Sequence, residues 1–244
     1  MNELDNENRI IEYLRDVPTT KVCILYDDVV SKTVYESLLN NKGNWIDNSA
    51  KSALPPDYIN TTDSIMMEVM RVNDTGSDAN IEETRMQHEL SDSGILKLFP
   101  KDVKACCTPN VHSQSYEKYL SSFIQTVKKH NSKIEKYKMN HPDIEKIVFL
   151  ICDESEAYFE LGELSNKGFQ GNVHQWFFDS RFMNILKNAS VDIAIWFTPY
   201  KVLERDGIDF PEVVVINPRL IDKSKFIEYD KEHMFDATRV QRVI

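Results

Sequence analysis

The chain has 244 residues, of which 41% are hydrophobic and 28% charged, and its formal net charge is −10. This composition is typical of a globular protein with a sizeable core, and its acidic balance argues against a dedicated nucleic-acid binder, which gains affinity by neutralising phosphates. Nucleic acid therefore stays an open but disfavoured partner, beside a protein partner, and the composition does not indicate an oligomeric state.

The apolar runs are too short for a membrane span, and the first residues are polar and acidic. We therefore expect neither a membrane segment nor a signal peptide, and a cytoplasmic location. The four cysteines show no metal-ligand spacing, since Cys106 and Cys107 are adjacent and Cys23 and Cys152 lie in apolar runs. Buried or idle thiols are favoured over a zinc site or a disulfide framework.

The first third of the chain predicts alternating helices and strands. Residues 5–15 and 30–40 have helical periodicity, and residues 20–26 form an apolar run typical of a buried strand. Residues 46–57 are typical of a loop, because a proline pair fixes an extended approach. Residues 65–72 predict a further strand.

The rest of the chain continues the alternation after a polar region at 73–112, which we interpret as an insertion or a mobile loop region with a helix at 81–90. A helix is predicted from about Ser113 to Lys138, since its apolar residues recur every three or four positions. The later predicted elements are strands at 146–152, 173–178, 191–197 and 213–216 and a helix at 180–187. This order predicts a single α/β domain over 1–244, with a mixed central sheet flanked by helices on both faces.

Two carboxylates carry the only spacing that indicates a class of reaction. Asp57 follows the pair Pro55-Pro56, and Glu68 lies in the middle of the next predicted strand, eleven positions later. Acids on adjacent strands can share a divalent cation, and magnesium prefers such oxygen ligands. The alternative is that Glu68 faces solvent and Asp57 only forms a turn.

These residues resemble the motifs of the PD-(D/E)xK nuclease superfamily, the restriction-endonuclease-like fold. Pro56-Asp57 is similar to its first motif and Glu68-Val69-Met70 to its second, and the predicted helix and strand that follow are in the family's order. The resemblance covers roughly residues 50–152. It implies a magnesium-dependent nuclease or phosphodiesterase with Asp57 and Glu68 as catalytic metal ligands.

The motif departs from the family at one position, because Met70 stands where the family has a lysine. Arg71 is adjacent but should point to the opposite face of the strand. A lysine of the following helix could replace the missing one, with Lys129 or Lys133 as candidates. Without such a lysine, the site would be inactive and the fold would serve as a binding scaffold.

Three further patterns have both a functional and a structural interpretation. Asp27-Asp28 and Asp153-Glu154-Ser155-Glu156 follow two predicted strands, and would form a cation site if those strands were parallel neighbours. Otherwise they are solvated turns. The lysines of the long helix could line a polyanion groove or a solvated face. The aromatic segments Trp176–Phe178 and Trp196–Lys201 could form a ligand pocket or pack in the core.

Two functions therefore remain open from the sequence. The first is a metal-dependent nuclease or phosphodiesterase with a degenerate site. The second is a non-enzymatic α/β protein that binds another macromolecule. The frequent isoleucine, asparagine and lysine are typical of AT-rich genomes, such as those of some bacteria, phages and mobile elements.

Overall fold

The computed structural model describes residues 7–49, 56–72, 106–107, 116–153, 179–198, 204–205, 208–209, 211–222 and 242–243. Several predicted features lie outside these residues: the helix at 81–90 with nearly all of the 73–112 region, the strand at 173–178, and Tyr200-Lys201.

The described elements begin with helix, strand and helix, as predicted, and a hairpin, the long helix and a strand follow. The helices are α1 Glu7–Asp16, α2 Val29–Asn40, α3 Tyr116–Asn140 and α4 Ser180–Lys187. The strands are β1 Val22–Ile24, β2 Trp45–Asp47, β3 Tyr58–Asn60, β4 Ile65–Val72, β5 Cys106–Cys107, β6 Lys146–Asp153, β7 Ile193–Phe197, β8 Glu204–Arg205, β9 Ile208–Asp209, β10 Val213–Ile216 and β11 Arg242–Val243. None of the described helices is both long and apolar enough to cross a bilayer.

Seven strands form one mixed sheet in the order β1-β10-β7-β6-β4-β3-β2. Strands β2, β3 and β4 pair antiparallel, whereas β4, β6 and β7 run parallel to one another. Strand β10 is antiparallel to β7 and parallel to β1. The predicted α/β class with a mixed sheet is therefore confirmed.

Helices cover both faces of this sheet because its central strands are apolar on both sides. Strand β4 shows the division: Met66 and Met70 pack with α3 and α4, whereas Met67 and Val69 pack with α1 and α2. Helix α3 connects β4 to its parallel neighbour β6, and the predicted apolar stripe of α3 faces the sheet. Glu68 shares the α3 face of β4 with the two methionines.

Helix α4 is fixed against α3 by aromatic and ionic contacts. The ring of Phe182 lies 4.7 Å from that of Phe123 and 5.4 Å from that of Tyr119, measured between centroids. Arg181 also binds both carboxylate oxygens of Glu117, at 2.8 and 2.9 Å. These contacts hold α4 against α3.

A polar cluster ties the tip of the β3–β4 hairpin to α2. The Asp63 carboxylate accepts hydrogen bonds from the side chains of Ser37, Asn41 and Asn60. The next residue, Ser64, has a φ of 55°, in the left-handed region where few residues other than glycine are found. Its carbonyl accepts from the backbone of Glu145 and Lys146, so the tip also contacts the start of β6.

Removing the Asp63 carboxylate should destabilise the protein. We expect Asp63→Ala to lower the free energy of unfolding by about 1–3 kcal/mol, because three donors lose an ionic acceptor. Urea denaturation followed by circular dichroism measures the change. Thr61→Ala, at an exposed position of the same turn, is the matched control. Equal stability of the two variants would contradict a role for Asp63 in anchoring the hairpin.

Candidate metal site between the hairpin and helix α3

The β3–β4 hairpin places Asp57 and Glu68 opposite each other. Tyr58 pairs with Met67 across the hairpin, and the same register extended by one residue sets Asp57 against Glu68. Because side chains alternate along a strand, both carboxylates lie on the face that α3 covers. The structure thus brings together the two acids that the sequence spacing selected.

The backbone of neighbouring strands holds Asp57 in this position. The Val69 amide donates to Asp57 Oδ2 at 2.8 Å, and the Asp57 carbonyl accepts from the amide of Asn48 at 2.8 Å. The first bond fixes the carboxylate, and the second fixes the peptide just before β3. The side chain of Asp57 is half-buried.

Helix α3 adds a histidine and a lysine. His130 Nδ1 lies 2.6 Å from Glu68 Oε2, and Lys133 Nζ donates to the same oxygen at 3.3 Å. Tyr137 is buried one turn further along, and its hydroxyl lies near Glu68. Residues three and seven positions apart lie on one helix face, so all three side chains reach the carboxylate from a single element.

Glu68 is the most buried charged group of the site, with 0% of its side chain exposed. Its Oε2 has two partners, whereas Oε1 has no partner within hydrogen-bond geometry among the described residues, and the Tyr137 hydroxyl acts on the carboxylate only from nearby. A buried carboxylate oxygen without a partner costs free energy, and native proteins rarely leave one unsatisfied. An atom of this kind is a candidate ligand for a cation.

The two carboxyl groups differ in pKa because their partners differ. Burial, followed by the charge of Glu68, raises the pKa of Asp57 to about 6, against the opposing effects of the Val69 amide, Lys133 and His130. Burial alone would also raise the pKa of Glu68, but His130, the Tyr137 hydroxyl and Lys133 outweigh it and lower that pKa. Glu68 is therefore the acid held in the charged form.

The cluster has the composition of a cation site. Asp57, Glu68 and His130 each offer one ligand atom, and these atoms all lie within 4.8 Å of one another. Two carboxylates and an imidazole are common ligands of divalent metals, and three protein ligands leave positions open for water or substrate. Asp57 and His130 are half-buried, whereas Glu68 is buried.

The two candidate lysines of α3 lie in different surroundings. Lys133 reaches Glu68 and is 28% exposed, whereas Lys129 occupies an exposed position of the helix. Met70, at the motif position of the missing lysine, packs in the core on the α3 face. The structure therefore brings Lys133 rather than Lys129 to the carboxylates.

Sequence reasoning missed His130 and Tyr137 as members of the site. Both fit the helical periodicity of the α3 stripe, and that periodicity alone predicts packing in the core. Their polar atoms were the available signal: with Lys133 they place three polar groups on the helix face that meets the sheet. A buried acid such as Glu68 needs partners of this kind on the facing helix.

The condition for a cation site at the two acidic strand ends, that their strands be parallel neighbours, is not met in the described structure. Strands β1 and β6 are separated by β10 and β7 and run in opposite directions. Asp28 instead caps α2 by accepting from the amide of Ser31 at 2.9 Å. Glu154 to Glu156 lie outside the described residues.

Asp153 and Trp196 have structural roles in the described part of the chain. Asp153 is fully buried, and its Oδ2 accepts hydrogen bonds from Tyr119 at 2.9 Å and from Trp196 at 3.1 Å. Trp196 and Phe197 belong to the two sides of the core. The core-packing interpretation of these two aromatic residues is therefore confirmed.

No family model, curated protein or solved structure matches the chain. The function must therefore be inferred from the site itself.

The raised pKa of Asp57 predicts a stability effect in metal-free protein. Ionisation of Asp57 is less favourable in the folded state, so its stabilising contribution is present below about pH 4 and is lost as the pH rises through about 6. Asp57→Asn keeps an acceptor for the Val69 amide but removes the charge. The unfolding free energy of this variant minus that of the natural chain should increase by about 1–2 kcal/mol from about pH 4 to about pH 7. The increase is smaller than the full pKa difference implies, because Asp57 is partly exposed to solvent.

Urea denaturation in the presence of a chelator, at the two pH values, measures this difference. Asp143→Asn, in an exposed turn after α3, is the control for loss of a surface charge. A stability difference for Asp57→Asn that does not change with pH would contradict the assigned environment of Asp57.

Proposed function

We propose that the chain is a metal-dependent phosphodiester hydrolase, of the nuclease or phosphodiesterase class, with an altered restriction-endonuclease-like site. One observation carries this proposal: Asp57 and Glu68 face each other across a hairpin, and Lys133 reaches Glu68 from the next helix. Paired acids with an adjacent amine are the groups that the resemblance implies. Here the amine comes from a helix instead of the strand.

The order of elements around the site supports the same assignment. The antiparallel strands β2, β3 and β4 are followed by α3 and then by β6, parallel to β4. The resemblance implies this sequence of hairpin, helix and buried strand for a restriction-endonuclease-like core. The acids lie on β4 and immediately before β3, where its two motifs would place them.

The residues present fit a divalent cation. Glu68, whose Oε1 has no hydrogen-bond partner among the described residues, and Asp57 offer the carboxylate oxygens that such an ion requires, and His130 adds a nitrogen. When bound, a divalent cation activates water for attack on phosphorus and offsets the charge of the transition state. Magnesium, the ion implied by the sequence resemblance, is one candidate.

Lys133 supplies the positive charge that Met70 cannot. Its ammonium group holds Glu68 Oε2 at 3.3 Å, and it can turn toward a phosphate oxygen at the open rim, because its side chain is only partly buried. A fixed cation beside a reacting phosphate stabilises the charge that develops there. Lys133 is therefore the proposed counterpart of the motif lysine.

Exposed lysines near the site favour an anionic substrate despite the net charge of −10. Lys128, Lys129 and Lys136 occupy exposed positions on the helix that carries Lys133. A local basic surface can guide a polyanion to a cleft while the rest of the molecule stays acidic. Weak, salt-sensitive binding of nucleic acid is the expected behaviour.

Substitutions at the two helix lysines test the assignment of Lys133. With a divalent metal present, we expect Lys133→Ala and Glu68→Gln each to lower the rate of cleavage by roughly 100-fold or more. The first removes the cation beside the reacting phosphate, and the second removes a ligand of the metal. Lys129→Ala, the matched variant on the same helix, removes only an exposed guiding charge and should lower cleavage far less than Lys133→Ala. Cleavage of labelled single- and double-stranded DNA and RNA, and of a chromogenic phosphodiester, measures the rates.

The reverse pattern, in which Lys129→Ala loses activity and Lys133→Ala keeps it, would contradict the assignment. Circular dichroism and the denaturation midpoint of each variant show whether the fold is retained. A metal-dependent activity that is unaffected by Glu68→Gln would contradict the site itself.

The second candidate is a non-enzymatic α/β protein that binds another macromolecule. It is favoured by the exposed apolar residues at the start of α2, where Val29 is 74% and Val30 42% exposed. Adjacent exposed apolar residues of this kind occur at interaction surfaces. Stoichiometric metal binding without cleavage of any phosphodiester would support this candidate over the first.

A further inference from the structure

The third potential ligand distinguishes this site from one built for magnesium. His130 presents Nδ1 to the carboxylates, 2.6 Å from Glu68 Oε2, and its side chain is only 14% exposed. Magnesium prefers oxygen donors and keeps much of its water, whereas imidazole nitrogen suits first-row transition metals. An inward-facing imidazole adds little to magnesium binding but much to binding of a softer ion.

The charge of the site points in the same direction. Asp57 and Glu68 contribute two negative charges when ionised, and Lys133 offsets one of them at the shared oxygen of Glu68. Hard cations depend on the number of anionic oxygens, so this offset weakens magnesium and calcium in particular. For a first-row transition metal, the neutral nitrogen donor makes up for the lost negative charge because its bond to the metal is strong.

The unpartnered oxygen of Glu68 shows that the cluster is not complete with its internal hydrogen bonds alone. Oε2 is occupied by His130 and Lys133, whereas Oε1 is buried and accepts no bond in the described structure. One ligand atom each from Glu68, Asp57 and His130 lie within 4.8 Å of one another, so a single ion can contact all three residues. The ion would thus use the imidazole at a carboxylate whose hydrogen bonds are incomplete.

We infer that the site takes a first-row transition-metal dication, of the manganese, cobalt or zinc type, in preference to magnesium or calcium, and that His130 is the ligand that sets this preference. The inference rests on the proposed function, because it concerns the metal of that same site. In the metal-free chain a hydrogen lies between Nδ1 and Glu68 Oε2, which are 2.6 Å apart. An ion bound through Nδ1 replaces that hydrogen, and the neutral ring then carries its hydrogen on Nε2. Asp57 and Glu68 bind either class of ion.

Calorimetric titration of the metal-free chain with Co²⁺ and with Mg²⁺ tests the inference. The natural chain should bind Co²⁺ at least about 100-fold more tightly than Mg²⁺. His130→Gln keeps a donor for Glu68 but removes the imidazole. It should weaken Co²⁺ binding about 10- to 100-fold and change Mg²⁺ binding by less than about threefold.

A spectroscopic signature separates ligation by His130 from a merely structural role. In the Co²⁺-loaded chain, proton NMR should show one exchangeable imidazole N–H resonance that is strongly shifted by the paramagnetic ion and is lost in His130→Gln. His141→Gln, at the end of the same helix, is the matched control and should retain the resonance. Glu68→Gln should weaken both metals, since it removes a shared ligand.

Each outcome separates this inference from the proposed function. Equal affinity for Mg²⁺ and Co²⁺, or equal loss of both in His130→Gln, would overturn the metal preference and leave a carboxylate-based hydrolase standing. Binding of neither ion by the natural chain would overturn both the preference and the metal-dependent function. Tight Co²⁺ binding without phosphodiester cleavage would support the preference and contradict the hydrolase.

Discussion

The burial of one charge, that of Glu68, determines how the rest of this site is organised. Glu68 stands between Met66 and Met70 on a sheet face that is otherwise apolar, with none of its side chain exposed. Such a charge is tolerated only where partners replace the lost water. His130 and Lys133 provide them, so α3 must pack on β4 in one rotation and one register. The polar contacts of the site thereby restrain the position of the helix, as the apolar contacts also do.

The elements predicted well from the sequence are those whose patterns are local and strong. The structure gives β4 and β10 with the predicted bounds, because long apolar runs are buried on both faces whatever their neighbours are. Strand β2 was missed: it has three residues at the edge of the sheet, and its pairing with β3 depends on the chain's return after the proline pair. The order of the strands is equally non-local, so the separation of β1 from β6 could not be read from their acidic ends.

The candidate site likewise has features that the local sequence determines and features that depend on non-local packing. The pairing of Asp57 with Glu68 could be anticipated, because the register of a hairpin is set within a few residues of its turn. The choice between Lys129 and Lys133 could not be anticipated, because residues four positions apart lie on nearly the same face of a helix. The way α3 packs on the sheet determines which of the two amines reaches the carboxylates. His130 fits an apolar stripe in the sequence, and its role becomes evident only from the contact of its nitrogen with Glu68.

The division of the ligands between two elements has a thermodynamic consequence. Asp57 and Glu68 belong to the hairpin, and His130 belongs to α3, so an ion held by all three would join a helix to a sheet. Affinity for the ion and the docking free energy of α3 are then linked, because whatever binds only the docked form must stabilise it by the same free energy. A substitution deep in the α3 interface, far from any ligand atom, would therefore alter metal affinity. The residues that pack α3 against the rest of the protein therefore contribute to metal affinity without contacting the ion.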